Sequence, residues 1–120
     1  MGNLFVHVEL QTTDLKKAKA FYQKLFDWKL EDADAGGMDY TMIHVGDGTG
    51  GGMMKCPMPG MPSHWLAYVL VDDVAAALKK AKSLGATIMM ESKDVMDYGT
   101  MGIFTDPTGA VLALWKLKKK

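Results

Sequence analysis

Residues 4–10 alternate between apolar and polar side chains with the period of two that is typical of a half-buried β-strand. The alternation places Phe5, His7 and Glu9 on one face of this strand and the aliphatic residues on the other. Asp14 then suits a helix start, because its carboxylate can accept a hydrogen bond from the first turn. Apolar side chains follow with helical spacing at positions 15, 18, 21, 22, 25 and 26.

The second half of the chain repeats this order. Residues 64–71 predict a strand, Asp72 and Asp73 begin a helix, and apolar residues recur at 74, 77, 78, 81 and 84. Gly85 is typical of a helix C-terminus. A shift of 59 residues superposes Asp14 on Asp73 and Leu25 on Leu84. We therefore interpret the chain as a duplicated strand–helix unit.

Three short strand-like runs follow each predicted helix. They span residues 28–33, 39–45 and 51–56 in the first half, and 86–92, 99–105 and 110–117 in the second. The sequence Asp-Pro-Thr-Gly at 106–109 predicts a type I turn. The pattern is thus β-α-β-β-β, twice. One helix covers only one face of each small sheet, so the other face must be buried by its twin, a partner chain or a ligand.

Composition narrows the class of protein. The chain has 120 residues, 48% of them hydrophobic, and no formal net charge. This predicts one folded domain and disfavours a nucleic-acid partner. No apolar run approaches a membrane span, and the N-terminal residues do not resemble a signal peptide, so we expect a cytoplasmic protein. There is no arginine, which disfavours bidentate binding of carboxylates and phosphates.

The duplicated unit resembles the vicinal oxygen chelate superfamily, also called the glyoxalase/bleomycin resistance/dioxygenase group. The similarity covers essentially the whole chain. The residues that carry it are Asp14-Leu15, Ala18, Phe21-Tyr22, Leu25-Phe26 and Trp28; Gly50-Gly51-Gly52-Met53-Met54; Val71-Asp72-Asp73-Val74 with Leu84-Gly85-Ala86; and Asp106-Pro107 with Gly109.

The resemblance implies an α+β fold in which two βαβββ modules in tandem form an incomplete barrel around a pocket. It implies one domain, with a first module at 1–56, a linker at 57–62, a second module at 63–117 and a basic tail at 118–120. Many members of the superfamily are homodimers, and we expect one here. Whether the modules pair within one chain or across a dimer stays open.

Enzymes of the superfamily place His, Glu or Gln metal ligands on the first, fourth, fifth and eighth strands. Carried over by position, the first ligand is His7, but the fifth and eighth strands offer Leu66 and Ala113. The fourth strand offers only glycine and methionine, and a thioether matches an oxygen-seeking divalent ion poorly. We therefore predict no cofactor and no regular metal site. A displaced divalent metal at His7 and His64 is the alternative.

Several residues are candidates for the pocket. His7 is a candidate general base, with Glu9 holding its proton. The resemblance brings the first strands of the two modules near each other, so we expect these side chains to converge with others. The candidate ligand-binding residues are Phe5, His64, Tyr68, Trp115 and Met53. Trp115 offers a stacking surface, and Trp65 should face the helices.

These residues favour a small-molecule binding protein with a largely apolar or aromatic ligand. The alternative is a glyoxalase-like lyase or isomerase, or a related enzyme, using a displaced metal or metal-free base catalysis by His7. A third hypothesis is that the concave face binds a protein partner.

Overall fold

The computed structural model describes residues 2–34, 39–95 and 98–118. The elements follow the order β-α-β-β-β-β-α-β-β-β. The bounds are β1 Phe5–Thr12, α1 Leu15–Leu25, β2 Lys29–Asp34, β3 Asp39–His44, β4 Gly51–Lys55, β5 His64–Leu70, α2 Val74–Ser83, β6 Thr87–Val95, β7 Gly99–Thr105 and β8 Val111–Leu117. The predicted strands and helices are confirmed within a few residues at each end.

The chain divides into two compact units. The first unit is His7–Leu66, and the second contains the residues before His7 together with those from Ala67 onward. The strand β1 thus begins in the second unit, where the Leu4 carbonyl accepts a hydrogen bond from the Leu70 amide at 2.8 Å. The basic tail predicted at 118–120 lies, after Lys118, outside the described residues.

The two units share one pattern of strand pairing. The strand order is β2-β3-β4-β1 in the first unit and β5-β8-β7-β6 in the second. The pairs β1–β4 and β5–β8 are parallel, and the other neighbours in each unit are antiparallel. The repeated order agrees with the duplication that the sequence predicts, and the α+β class is confirmed.

Each helix starts where the sequence predicts. The Asp14 carboxylate accepts from the Lys17 amide at 3.0 Å, and the Asp73 carboxylate accepts from the Ala76 amide at 3.0 Å. These bonds satisfy amides that have no partner within the helix. Gly85 follows α2 with a φ of 105°, a conformation that favours glycine.

Each helix packs on one face of its own sheet. In the first unit the core contains Leu10, Ile43 and Met53, with Leu15, Ala18 and Tyr22 of α1 against it. The predicted stripe on α1 is wider than this contact, since Phe21, Leu25 and Phe26 are between 44% and 57% exposed. The row formed by positions 15, 18 and 22 is the part of the helix that meets the sheet.

In the second unit, Val74, Leu78 and Leu114 form the core between α2 and its sheet. Gly102 lets the helix approach closely, because a β-carbon there would lie 2.7 Å from Leu78 Cδ1. Both helix–sheet contacts therefore use one face of each sheet and leave the opposite face for a ligand or another surface.

We predict that Leu78→Ala lowers the free energy of unfolding by about 2–5 kcal/mol, because it opens a cavity beneath α2. Leu78 is 2% exposed, whereas Leu84 just beyond the same helix is 69% exposed. The control Leu84→Ala should therefore change stability by about 0.5 kcal/mol or less. Urea denaturation followed by circular dichroism measures both, and equal losses would contradict this packing.

Candidate functional site

A chain of polar side chains lies on the face of the first unit's sheet that is opposite α1. The alternation along β1 sends Leu10 into the helix-side core, and so His7, Glu9 and Gln11 lie on the other face. Tyr40 of β3 joins them: its hydroxyl lies 2.7 Å from His7 Nε2 and 3.0 Å from Glu9 Oε1. Gln11 Nε2 donates to Glu9 Oε2 at 2.9 Å.

Glu9 is the buried centre of this chain. Its exposure is 4%, and both carboxylate oxygens accept a hydrogen bond. A buried carboxylate is tolerated only with such partners. His7 and Tyr40 are half-buried, so they are the members of the chain that a ligand can reach.

Gly52 makes room for the Tyr40 ring. The register places Gly52 beside Glu9 on one side and Met42 on the other. A β-carbon at Gly52 would lie 2.5 Å from Tyr40 Cε2 and closer still to the hydroxyl. Gly52 therefore serves the site by leaving a gap that the tyrosine fills.

Burial lowers the pKa of His7 below its ordinary value of 6.5, and the negative charge of Glu9 partly offsets this effect. Removal from water disfavours the charged imidazolium. The attraction of the Glu9 carboxylate favours that charged form, but its effect is the smaller of the two. His7 is therefore neutral at pH 7 and above.

In the structure the Tyr40 hydroxyl bonds to both His7 and Glu9. Tyr40 is not among the site residues that the sequence predicts. The alternation of Tyr40, Met42 and His44 along one strand was the available signal. This alternation does not reveal that Tyr40 lies near His7 and Glu9. The strand β3 is separated from β1 by β4, so the contact depends on how β4 pairs with each of them.

Two predicted residues of the first unit lie away from this chain. Met53 is fully buried in the helix-side core with Leu10 and Ile43, so it is removed from the candidate site. The period of two explains this placement, since Gly52 occupies the other face. His64 donates from Nδ1 to the Pro62 carbonyl at 2.9 Å, a contact with the linker.

The predicted residues of the second unit form an aromatic pair. Tyr68 and Trp115 meet edge to face, with ring centroids 6.3 Å apart. Trp115 is half-buried and Tyr68 is buried. A β-carbon at Gly99 would lie 2.7 Å from Trp115 Cζ2, so the indole ring rests on that glycine. Phe5, also in this unit, is 63% exposed.

Trp65 faces the helix, as predicted. Its ring meets Tyr22 of α1 edge to face at 5.6 Å and also contacts Trp28. A cavity of about 640 Å³ lies between α1 and the strands β2 and β3, and Tyr40 is among its lining residues. Lys19 and Asp32, which line it, form an ion pair at 2.7 Å.

The four positions at which the resemblance implies metal ligands do not fit a metal ion. Leu66 is 2% exposed and Ala113 is fully buried, and neither has a donor atom. In the fourth strand, β4, Gly52 and Met54 occupy the face of His7. Within the described residues, no three His, Cys, Asp or Glu side chains are grouped to hold an ion.

Comparison with known proteins agrees with this architecture. Residues 4–114 match the family model of the glyoxalase/bleomycin resistance protein/dioxygenase superfamily. The βαβββ repeat defines the class, and the chain belongs to this superfamily. None of the helices in the described part of the chain is long and apolar enough to cross a membrane.

Two curated relatives are informative. The chain is 40% identical over 119 residues to the "Putative glyoxylase CFP32" of Mycobacterium tuberculosis, covering 93% of this chain and 45% of that protein. It is 29% identical over 128 residues to the anthracycline biosynthesis protein DnrV of Streptomyces peucetius, covering 90% of this chain and 45% of that protein. The chain thus spans about half the length of these relatives.

Solved structures share the fold at low identity. A hypothetical protein of Bacillus halodurans has a TM-score of 0.72 at 14% identity, covering 100% of this chain and 98% of its own. Methylmalonyl-CoA epimerase from Mycobacterium tuberculosis has a TM-score of 0.71 at 15% identity, covering 96% and 88%.

We predict that His7 makes the fold less stable as the pH falls. Because its folded pKa is lowered, the unfolded chain binds more protons below pH 6.5, and stability declines until the pH reaches the folded pKa. A pKa lowered by one unit corresponds to a loss of about 1.4 kcal/mol in the free energy of unfolding once the pH is below the folded pKa.

Urea denaturation at pH 7.5 and pH 5.5 measures this effect. The wild type should lose more stability between the two values than His7→Gln does, and His44→Gln serves as the control for replacing a histidine. A decline of equal size in the wild type and His7→Gln would contradict the lowered pKa.

Proposed function

We propose that this chain binds a small, largely apolar or aromatic molecule and does so without the metal site of the superfamily's enzymes. The observation that carries the proposal is the chemistry at the implied ligand positions. Leu66 and Ala113 are buried side chains without donor atoms. The fourth strand offers Gly52 and Met54 on the face of His7, and His7 itself bonds through Nε2 with the Tyr40 hydroxyl.

The first unit by itself offers a ligand few polar groups. His7 and Tyr40 present half-buried edges, while Glu9 and Gln11 lie behind them and are largely covered. A ligand can therefore form a few oriented hydrogen bonds on this face, which is the usual arrangement of a small-molecule site. The absence of arginine in the chain disfavours ligands that depend on carboxylates or phosphates.

The second unit supports an aromatic ligand. Trp115 and Tyr68 already form an edge-to-face pair, and the half-buried indole keeps part of its surface accessible. Such a ring gains about 0.5–1.5 kcal/mol from an aromatic partner beyond the burial of area. The relative named for anthracycline biosynthesis makes a fused aromatic ring system a reasonable first probe.

The second candidate function is catalysis by His7. The relative named as a glyoxylase favours a lyase or isomerase reaction on a small carbonyl compound. His7 is neutral near pH 7 because burial lowers its pKa, and a neutral imidazole is the form required of a general base. Glu9 acts through Tyr40 in this scheme, as a group that orients the base.

We also infer a homodimer in the cytoplasm, on the strength of the resemblance to the superfamily. Sedimentation velocity of the purified chain tests the dimer. A single species at the monomer mass over the micromolar range would contradict it.

The binding proposal is tested by titrating the chain with an anthracycline such as daunorubicin and following tryptophan fluorescence and heat of binding. We expect saturable binding at one site per chain. Trp115→Ala should weaken the affinity about tenfold through loss of an aromatic contact.

Two matched controls separate this site from other apolar surfaces. Trp65→Ala removes a tryptophan that lies on the helix side, and Lys19→Ala alters the helix-side cavity. Neither should change the affinity. Loss of binding in either control, with Trp115→Ala unaffected, would overturn the assigned site. Turnover of a glyoxal hemithioacetal that His7→Ala abolishes would instead favour the enzyme.

A further inference from the structure

The hydrogen bonds around Glu9 have a defined direction. Gln11 donates its amide proton to one carboxylate oxygen, and the Tyr40 hydroxyl donates to the other at 3.0 Å. A tyrosine hydroxyl has one proton to donate and otherwise accepts. Its proton lies toward Glu9, so Tyr40 can only accept from a second partner.

That second partner is His7 Nε2, 2.7 Å from the Tyr40 hydroxyl oxygen. Because the oxygen accepts, the proton of this bond belongs to the imidazole. We propose that Tyr40 is a positioning residue, which holds the imidazole of His7 with a proton on Nε2 and the lone pair on Nδ1. The inference rests on the proposed function only in treating His7 as part of the site.

The surroundings keep Tyr40 in this role. Its ring occupies the gap over Gly52, where any β-carbon would overlap the ring and hydroxyl. The ring of His7 lies nearly parallel to that of Tyr40, with centroids 6.3 Å apart and an interplanar angle of 22°. Gly52 thus leaves the space in which the Tyr40 ring sits, and the hydrogen bond from His7 fixes the imidazole relative to that ring.

The tautomer decides what His7 offers to a ligand. With the proton on Nε2 engaged by Tyr40, any lone-pair chemistry at His7 belongs to Nδ1. The same arrangement disfavours a metal ion at Nε2, since the ion would have to displace the bond to Tyr40 and remove the proton. Sequence reasoning that pairs His7 directly with Glu9 does not give this assignment.

Long-range ¹H–¹⁵N correlation spectra of the chain labelled at histidine test the proposal at pH 7.5. We expect His7 to show a protonated-type Nε2 and a lone-pair-type Nδ1, with a slowly exchanging Nε2–H. In Tyr40→Phe this proton should exchange about tenfold faster, because its acceptor is gone. Tyr98→Phe, at an exposed tyrosine, should leave the exchange unchanged.

Gly52→Ala provides an independent test that keeps the tyrosine. It should accelerate the Nε2–H exchange as Tyr40→Phe does, by pushing the ring out of its gap. Gly2→Ala is the control, since a β-carbon there meets nothing within 4 Å. The His44 and His64 signals report that each variant is folded.

Two results would overturn the inference. One is a wild-type spectrum with the His7 proton on Nδ1. The other is an Nε2–H whose exchange is unchanged in both Tyr40→Phe and Gly52→Ala. Neither result depends on a ligand, so failure here is distinct from a failure to bind the probe in the titration.

Discussion

The need to satisfy a buried carboxylate organises the candidate site. Glu9 lies on the face of its sheet opposite α1 at 4% exposure, and a carboxylate removed from water is costly unless its oxygens accept hydrogen bonds. Tyr40 and Gln11 supply those bonds, and His7 is attached through Tyr40. In the described residues, no buried side-chain nitrogen or oxygen atom lacks a partner. The polar chain is therefore a satisfied network, which rigidifies the face that carries it.

The same requirement explains the composition of the strands around Glu9. Gly52, its neighbour on β4, is the residue that lets the Tyr40 ring reach the carboxylate. On the other side of the sheet, Met53 fills the core beneath α1. The successive residues Gly52 and Met53 thus contribute to opposite faces of the sheet, Gly52 to the polar face and Met53 to the core beneath α1. A shift of the register by one residue would put the methionine against Glu9 and destroy both arrangements.

Much of the fold follows from local physics. The carboxylates of Asp14 and Asp73 can be predicted to begin helices, because they stand before apolar residues at helical spacing. Alternation predicts β1 and β5, and glycine after α2 marks its end. Each of these signals is formed by residues close together in the chain, so it can be recognised from the sequence alone. The faces of His7 and Glu9 follow from the same period of two.

The site itself is only partly predictable, because it depends on long-range register. Tyr40 is 31 residues from Glu9, and their contact requires β3 to pair with β4 and β4 with β1 at one register. No local pattern fixes these pairings. Register also decides the place of Met53, which packs in the core beneath α1 because Gly52 occupies the other face.

The central proposal is that His7, the one implied ligand position with a ligating side chain, belongs to a polar network and holds no metal ion. Metal content per chain, measured by mass spectrometry, tests it most directly. Protein purified without chelators would be offered nickel, zinc, manganese and iron and then dialysed. The account predicts less than about one-tenth of an ion per chain, because Leu66 and Ala113 cannot bind one. One tightly held ion per chain that His7→Ala removes would contradict it.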